Sequence, residues 1–298
     1  DFDGLACGTL LAELGLIDDG VKFVHPKDIQ DGLIEVDSND ILANIPYVKG
    51  CGLWFDHHSS ESERLGSDIV FEGVSRIEDS AARVVYEYYG GKAKLPQFEE
   101  MVVAVDKVDS GKLSADEILN PEGWVLLGFI MDPRTGLGRF RDFRISNFSL
   151  MEKLIKSCAT QSITEIIADF DVAERVKLYF EQDTLFREMV GKYTKVDKNV
   201  IITDLRGVEP IYTGNRFLIY SLYPQQNISL WIVDGRGKQN APIAVGYSIL
   251  NRSAKTDVGA LMLKYGGGGH HNVGTCQVDY ADADKAIAEI VAELVKNG

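Results

Sequence analysis

The sequence predicts an α/β protein with two domains. Its 298 residues are enough for two domains of ordinary size. In the N-terminal half, short apolar segments typical of buried strands alternate with segments of helical periodicity, which indicates a doubly wound, mostly parallel sheet with flanking helices. We therefore expect an N-terminal sheet domain over residues 1–150, a helical connector over 151–197 and a smaller C-terminal α/β domain over 198–298, with a cleft between the domains.

In the N-terminal half, four apolar segments predict strands and three segments predict helices. The strands are expected at residues 22–24, 32–37, 52–56 and 69–71. The helices are expected at residues 5–14 and 80–89, and from Pro96 to about Asp109. Asp79 and Ser80 are cap candidates at the start of the second helix, two glycines end it, and proline suits the first turn of the third.

The C-terminal half begins with helical spacing and continues with β-branched runs. Residues 151–197 predict one or two long helices. Strands are expected at residues 200–202, 217–222, 228–233, 243–249 and 273–278. Helices are expected near residues 258–265 and from Ala281 onward.

Composition limits the possible partners. The net charge of −14 argues against a protein that binds long duplex DNA, because many phosphate contacts need a basic surface. A short anionic substrate is still compatible with this net charge if metal ions and a few arginines supply local positive charge. No apolar run reaches the roughly 18 residues of a membrane span. The sequence starts at Asp1 rather than Met and shows no signal peptide, and its four cysteines form no C-x-x-C pair, so we expect reduced thiols and a cytoplasmic protein.

Asp56-His57-His58 is the strongest candidate for a metal site. The triplet ends the apolar run of residues 52–55 and therefore lies at the end of a predicted buried strand. A carboxylate and two imidazoles suit a divalent ion such as Mn²⁺, which accepts both kinds of ligand.

Further aspartates lie where other predicted elements begin or end. Asp1 and Asp3 open a helical segment, and a helix cap is the alternative explanation for them. Asp37 ends a predicted strand, where it could equally initiate a turn. Asp106 and Asp109 lie three apart, hence on one face of a helix, although the Asp-Ser-Gly sequence also fits a simple helix stop.

Together these acidic residues indicate a site with two metal ions. Ligands of an open α/β sheet bind beyond the carboxyl ends of its strands, where Asp3, Asp37 and the Asp-His-His triplet would converge. Carboxylates packed this closely repel one another unless cations neutralise them. We therefore predict two Mn²⁺ ions, with Mg²⁺ as the alternative, which generate hydroxide near neutral pH and hold a phosphoryl group for in-line attack.

The C-terminal domain contains a candidate anion site. Residues 266–269 are four glycines, which would let backbone N–H groups approach an anion, with a flexible linker as the alternative. Arg252 follows a predicted strand and carries a guanidinium suited to phosphate, although a surface arginine is the alternative. We expect substrate to contact six residues: Arg252, Ser253, Gly267, Gly268, Gly269 and His270.

One further polar loop is rich in glycine and arginine. Residues 134–139, Arg-Thr-Gly-Leu-Gly-Arg, lack the G-K-[ST] ending of a phosphate loop. We interpret them as a connecting loop, and contact between one of the arginines and substrate is the less favoured alternative.

The order of these motifs resembles the DHH phosphoesterase family, whose members include nanoRNase-like, RecJ-like and exopolyphosphatase-related proteins. The matching elements are Asp1-x-Asp3-Gly4, Asp37, Asp56-His57-His58, Asp109-Ser-Gly, Arg252-Ser253 and Gly-Gly-Gly-Gly-His270. They touch both domains and nearly the whole chain. The resemblance implies a DHH catalytic domain, a C-terminal substrate-binding domain and a two-manganese hydrolase of phosphoesters or phosphoanhydrides that works in the cleft.

The resemblance also implies the metal ligands. Asp1 and Asp3 would bind different ions, Asp37 would bridge them, and His57 would be the histidine ligand of the triplet. Many members carry another histidine ligand four residues before the first aspartate, a position that precedes residue 1 here.

The remaining roles follow from the same likeness. Asp109 is the expected last ligand, because Asp-Ser-Gly is similar to the family's Asp-Thr-Gly, and Asp106 is its competitor. His58 would face the substrate phosphate, and Asp56 would support the ligand histidines.

Three functions are compatible with this site. The first is a phosphodiesterase that trims very short oligonucleotides or linear dinucleotides from one end, like an exonuclease. The second is a hydrolase of inorganic phosphoanhydrides such as polyphosphate or pyrophosphate. The third is a nucleotide sensor with a degenerate metal centre that binds without turnover. The sequence leaves the substrate, the cleavage polarity and the oligomeric state open, with a homodimer as one candidate.

Overall fold

A computed structural model describes residues 1–58, 61, 64–65 and 69–297. The chain divides into two compact units, and each unit contains two stretches of sequence. The first unit comprises Asp1–Lys112 and Pro121–Leu178, and the second comprises Leu113–Asn120 and Tyr179–Gly298. The segment 151–197, expected as a connector, is thus divided between the units. Across the described residues, no helix has both the length and the apolar character needed to cross a membrane.

The sheet of the first unit is parallel, as predicted. It has three strands, β1 (Ile41–Ala43), β2 (Leu53–Asp56) and β3 (Gly73–Ser75), with β2 in the centre. Trp54 and Phe55 of β2 are buried, as expected for a central strand covered on both faces. All three strands therefore point their carboxyl ends to the same edge of the sheet.

Three predicted strands of this unit are wrong. Residues 22–24 and 32–37 form no strand, and the third strand lies at Gly73–Ser75 rather than at 69–71. Leu33 and Val70 are 70% and 92% exposed, so their apolar side chains do not mark buried strands. Gly73 has a φ of 104°, and a Cβ there would lie 2.2 Å from the Trp54 carbonyl oxygen, so only glycine allows β3 this close to β2.

Helices surround this sheet. Phe2–Glu13 is central to their packing, because it contacts Ala81–Tyr88, Glu99–Ser110, Gly123–Met131 and Asn147–Thr160. Its residues Phe2, Leu5 and Leu10 are buried. Further helices or helical turns are Pro26–Gln30, Gly91–Lys94, Pro96–Phe98, Pro133–Thr135, Leu137–Arg139 and Ile163–Ala168. The long helix Phe170–Tyr193 contains the division between the two units.

The second unit is built on a mixed sheet of six strands. They are β4 (Thr194–Asp197), β5 (Val200–Asp204), β6 (Ile228–Ile232), β7 (Asn240–Tyr247), β8 (Gly268–His270) and β9 (Val273–Asp279). Their order is β4-β5-β6-β7-β9-β8, and only the β5–β6 pair is parallel among these strands. The helical elements of this unit are Ala115–Leu119, Leu218–Leu222, Arg236–Lys238, Val258–Leu263, Tyr280–Asp282 and Ala283–Lys296. Leu230, Ile243, Met262 and Ile290 belong to its core.

Three features of this unit differ from the prediction. Strand β4 lies at the end of the segment that was predicted to be helical. Residues 217–222 contain the helix Leu218–Leu222 instead of a strand, since a short, mostly buried apolar run is compatible with either structure. The expected glycine loop contains the edge strand β8, which pairs with β9. The other predicted strands and helices of this unit are present with shifted ends.

Candidate metal centre and active site

The Asp-His-His triplet lies at the carboxyl end of the central strand. Asp56 is the last residue of β2 and is fully buried, while His57 and His58 follow it. The adjacent strands pair with β2 up to Phe55 and Asp56, so β2 delivers both imidazoles to the edge where the strands end.

The hydrogen bond of His57 Nδ1 fixes the role of its second ring nitrogen. Nδ1 lies 3.1 Å from the Glu78 carbonyl oxygen. Because a carbonyl oxygen only accepts, Nδ1 carries the proton, and Nε2 of the neutral ring presents a lone pair. Nε2 is buried without a hydrogen-bond partner among the described residues, 3.7 Å from Asp3 Oδ2 and 3.4 Å from Asp109 Oδ2. A lone pair between two carboxylates is unfavourable until a cation joins them.

Asp3 is held in place by the start of a helix. Its Oδ2 and Oδ1 accept hydrogen bonds from the backbone N–H groups of Ala81 and Ala82, at 2.8 and 2.7 Å. These groups begin the helix Ala81–Tyr88, whose N-terminal dipole also favours a negative charge. Burial, and then the nearby Asp109 carboxylate, nevertheless raises the pKa of Asp3 to about 7. A divalent ion would stabilise the charged carboxylate here.

Asp106 and Asp109 share one helix face, but their contacts differ. Arg83 donates from Nε and Nη2 to Asp106 Oδ2 at 2.9 and 2.6 Å, and Ser80 Oγ donates to its Oδ1 at 2.7 Å. Asp109 instead turns Oδ2 toward His57. The geometry therefore favours Asp109 as the metal ligand and gives Asp106 a structural contact.

Asp3, His57 and Asp109 together fit a divalent cation. Each offers one ligand atom, and the three atoms lie within 4.8 Å of one another. Two carboxylates and an imidazole are a donor set that Mn²⁺ and similar ions accept. The fit also accounts for the unpartnered Nε2 of His57.

The structure does not bring Asp37 to this cluster. Asp37 lies before β1, whereas the cluster lies beyond the carboxyl end of the neighbouring β2. It is exposed, and its Oδ1 accepts a hydrogen bond from the Asn39 N–H at 2.7 Å, which is the turn-forming alternative. The predicted strand 32–37 that would have delivered it does not form.

Asn44 takes the place at the strand end that was expected for Asp37. It directly follows β1, has a φ of 59°, which asparagine tolerates, and donates from Nδ2 to Asp1 Oδ1 at 3.3 Å. Asp1 Oδ1 also accepts from the Gly4 N–H at 3.0 Å and so caps the first helix. Asn44 was not among the predicted site residues, because the three-residue strand before it is too short for a periodic signal.

His58 and Asp56 form a pair beside the cluster. Asp56 Oδ1 accepts from His58 Nδ1 at 2.9 Å, which leaves the His58 Nε2 edge available, and the His58 side chain is 51% exposed. The hydrogen bond to Asp56 raises the pKa of His58 above its usual value. Asp56 thus supports His58, while a backbone carbonyl orients His57.

A small pocket adjoins the cluster within the first unit. Its charged lining consists of Asp1, Asp3, Asp109, Asp132 and Arg134 among the described residues. Asp132 directly follows the helix Gly123–Met131 and is 5% exposed. Asp132 was not among the predicted site residues, and the loop that contains Arg134 was expected to be a connecting loop.

In the second unit, the glycine run is explained in part by packing. Gly266 has a φ of 73°, and a Cβ at Gly267 or Gly269 would lie 2.0 Å from the Thr275 or 2.3 Å from the Val273 carbonyl oxygen. A Cβ at Gly268 would meet nothing within 4 Å. Strand pairing with β9 therefore requires Gly267 and Gly269 whether or not an anion binds.

The other predicted substrate contacts lie after β7 or at the end of β8. Ser253 Oγ accepts from Asn227 Nδ2 at 3.0 Å and donates to Asn251 Oδ1 at 2.8 Å. Arg252 is exposed, and its Nε donates to the Ile249 carbonyl oxygen at 3.1 Å. His270 is exposed at the end of β8.

Comparison with solved structures identifies the family. A pGpG-specific phosphodiesterase, PggH from Vibrio cholerae, is 48% identical, and the match covers 100% of this chain and 97% of that chain with a TM-score of 0.89. This chain belongs to the DHH phosphoesterase family. RecJ from Thermus thermophilus, solved in complex with Mn²⁺, shares the fold at 14% identity and a TM-score of 0.52, over 99% of this chain and 51% of RecJ.

As a DHH phosphoesterase, the protein is a metal-dependent phosphohydrolase. No protein-family model matches the chain, and no curated protein sequence matches it. The predicted family and fold class are confirmed by the structural comparison.

Proposed function

We propose that this DHH phosphoesterase is a manganese-dependent phosphodiesterase that cleaves linear dinucleotides such as pGpG and other very short oligonucleotides. The proposal depends mainly on the 48% identity to the pGpG-specific phosphodiesterase over the whole chain. Hydrolysis of the linking phosphodiester of pGpG consumes one water and releases two molecules of GMP.

The first unit supplies the proposed metal centre. Asp3, His57 and Asp109 hold one ion, as their mutual distances and the unpartnered His57 nitrogen support. Asp1, which lines the same pocket, and Asn44, which is hydrogen-bonded to Asp1, are the proposed oxygen donors for a second ion. When bound, the ions would lower the pKa of an attacking water and neutralise charge on the phosphate.

His58 is the proposed donor to the substrate phosphate. Asp56 accepts from its Nδ1 and keeps Nε2 turned away, so that Nε2–H of the protonated ring is the donor. The raised pKa of His58 extends the pH range in which this donor is charged. In the second unit, Arg252, Ser253 and the Gly267–His270 backbone are the proposed contacts to the remainder of the nucleotide.

A substrate panel tests this proposal. Purified protein with Mn²⁺ is incubated with pGpG, two- to ten-nucleotide RNAs, polyphosphate and pyrophosphate, and products are separated by ion-exchange chromatography. We expect GMP from pGpG, slower release from longer RNAs and loss of turnover after chelation. Cleavage of polyphosphate without GMP release would instead identify a phosphoanhydride hydrolase. Calorimetric binding of pGpG without turnover in Mn²⁺ would identify a sensor.

A further inference from the structure

The Asp132-Pro133-Arg134 segment reaches the metal cluster through close helix packing. The helix Gly123–Met131 ends one residue before Asp132. Gly128 lets this helix approach, because a Cβ there would lie 2.9 Å from Phe2 Cδ1 and 3.0 Å from Val108 Cγ2. Phe2 and Val108 are neighbours in sequence of the ligands Asp3 and Asp109. The packing therefore fixes Asp132 and Arg134 relative to the ligands.

One edge of the Arg134 guanidinium is hydrogen-bonded to Asp132, and the other edge is available for further hydrogen bonds. Its backbone N–H and its Nε both donate to Asp132 Oδ1, at 2.8 and 2.7 Å. Its two Nη groups make no hydrogen bond to any described residue, and the side chain is 47% exposed. A buried carboxylate thus orients a guanidinium that keeps several donors available.

The charges of the pocket indicate what these donors bind. Arg134 is the basic side chain among the described lining residues, beside the carboxylates of Asp1, Asp3, Asp109 and Asp132. A phosphate ester at the mouth of this small pocket would be repelled by the acidic groups unless cations balance them. A guanidinium with free Nη groups provides charge-assisted hydrogen bonds to two phosphate oxygens.

We propose that Arg134 binds the substrate phosphate at the metal centre and is a catalytic residue, with Asp132 as its positioning residue. The inference rests on the proposed phosphodiesterase function and adds a named phosphate contact to it. It also assigns a role to the arginine-glycine loop 134–139. A purely structural Arg134 would serve only to neutralise Asp132.

Two substitutions separate these roles. Arg134→Gln removes the charge and Arg134→Lys keeps it without the planar fork, while Arg141→Gln removes an exposed arginine of the following segment as the matched control. The measurements are kcat and KM for pGpG, the inhibition constant of the product GMP, Mn²⁺ affinity by calorimetry, and Tm. Metal affinity and Tm show whether the fold and the ion sites survive.

We expect Arg134→Gln to lower kcat/KM by about 100-fold and to raise the GMP inhibition constant about 10-fold or more, with Mn²⁺ affinity and Tm close to those of the unsubstituted protein. Arg134→Lys should recover part of the loss, and Arg141→Gln should change nothing. The inference would be overturned if kcat/KM and the GMP inhibition constant of Arg134→Gln both stayed within threefold of those of the unsubstituted protein. It would also be overturned if kcat/KM fell only together with Tm.

A binding measurement keeps this test independent of the proposed function. If the unsubstituted protein releases no GMP from pGpG, the phosphodiesterase proposal fails, and orthophosphate is titrated into the Mn²⁺-loaded protein instead. Weaker orthophosphate binding by Arg134→Gln than by Arg141→Gln would still support the phosphate contact. Equal binding by both variants would reject it.

Discussion

The two adjacent histidines of this site differ in the atom that contacts Nδ1, and this contact gives each ring a different property. At His57 that atom is a backbone carbonyl oxygen, which places the proton on Nδ1, so that Nε2 of the neutral ring presents a lone pair. At His58 it is the Asp56 carboxylate, which raises the pKa and favours the protonated ring. The same side chain therefore suits the proposed metal ligand at one position and the proposed hydrogen-bond donor at the next.

The two aspartates on one helix face should respond differently to substitution. Asp109→Asn removes the charge of a proposed metal ligand, so we expect at least about a 100-fold loss of activity and much weaker Mn²⁺ binding, with little change in Tm. Asp106→Asn removes the carboxylate that faces Arg83 Nε and Nη2 and leaves Glu87 as the remaining charged partner of Arg83, so we expect about 1–2 kcal/mol lower stability and retained Mn²⁺ binding. Calorimetric titration and chemical denaturation of both variants measure these effects.

The reverse pattern would contradict this assignment. If Asp106→Asn lost Mn²⁺ binding while Asp109→Asn retained it, Asp106 would be the ligand. Asp142→Asn, at an exposed position outside the described pocket lining, serves as the control for the loss of one negative charge.

The grouping of Asp3, His57 and Asp109 in one site was predictable from the order of the motifs, because that order resembles a family whose members share such a site. It could not place Asp37, because residues 32–37 look apolar yet are largely exposed and form no strand. The three-residue strand β1 that delivers Asn44 is too short for a periodic signal. Asp132 depends on the close approach at Gly128, a tertiary contact that no local pattern encodes.

At the level of elements, the glycine run combines a packing requirement with a proposed binding role. Gly267→Ala would drive a Cβ against the Thr275 carbonyl oxygen of β9, so we expect a loss of about 2–3 kcal/mol in stability. Gly268→Ala places its Cβ in open space, so we expect a stability change within about 0.5 kcal/mol. Chemical denaturation compares the two variants.

The same pair tests whether β8 contacts substrate. If the backbone near Gly268 binds phosphate, Gly268→Ala should raise the KM for pGpG about 10-fold while the protein stays folded. An unchanged KM would limit the glycine run to its structural role beside β9. This comparison is possible because adjacent glycines have different surroundings.

Elements with strong periodicity were predictable, whereas short ones were not. The helices Phe2–Glu13, Ala81–Tyr88 and Ala283–Lys296 lie where their patterns place them, within a few residues. The helix Leu218–Leu222 was predicted as a strand because short apolar runs lack a diagnostic period. Strand β8 was missed because glycine has low strand propensity and pairs here through close backbone contact.

At the scale of the whole molecule, net charge limits the nucleic acids that can bind. With a net charge of −14, the protein should not bind a 20- to 30-base-pair duplex, because such binding depends on releasing counterions from many phosphates. We expect a 100-fold excess of duplex DNA to change the rate of pGpG hydrolysis by less than about twofold. Competition at low and physiological salt tests this expectation, and strong inhibition at low salt would reveal a basic surface that the composition hides.

The attachment of Asp3 to a helix start affects how an inactive enzyme should be made. Ala81 and Ala82 donate their N–H groups to this carboxylate, so exchanging Asp3 alters the ion site and the beginning of the helix Ala81–Tyr88 together. Asp109 has no such helix-start contact among the described residues. A substrate-trapping variant for crystallography is therefore better built at Asp109, where the uncut dinucleotide would meet an otherwise native framework.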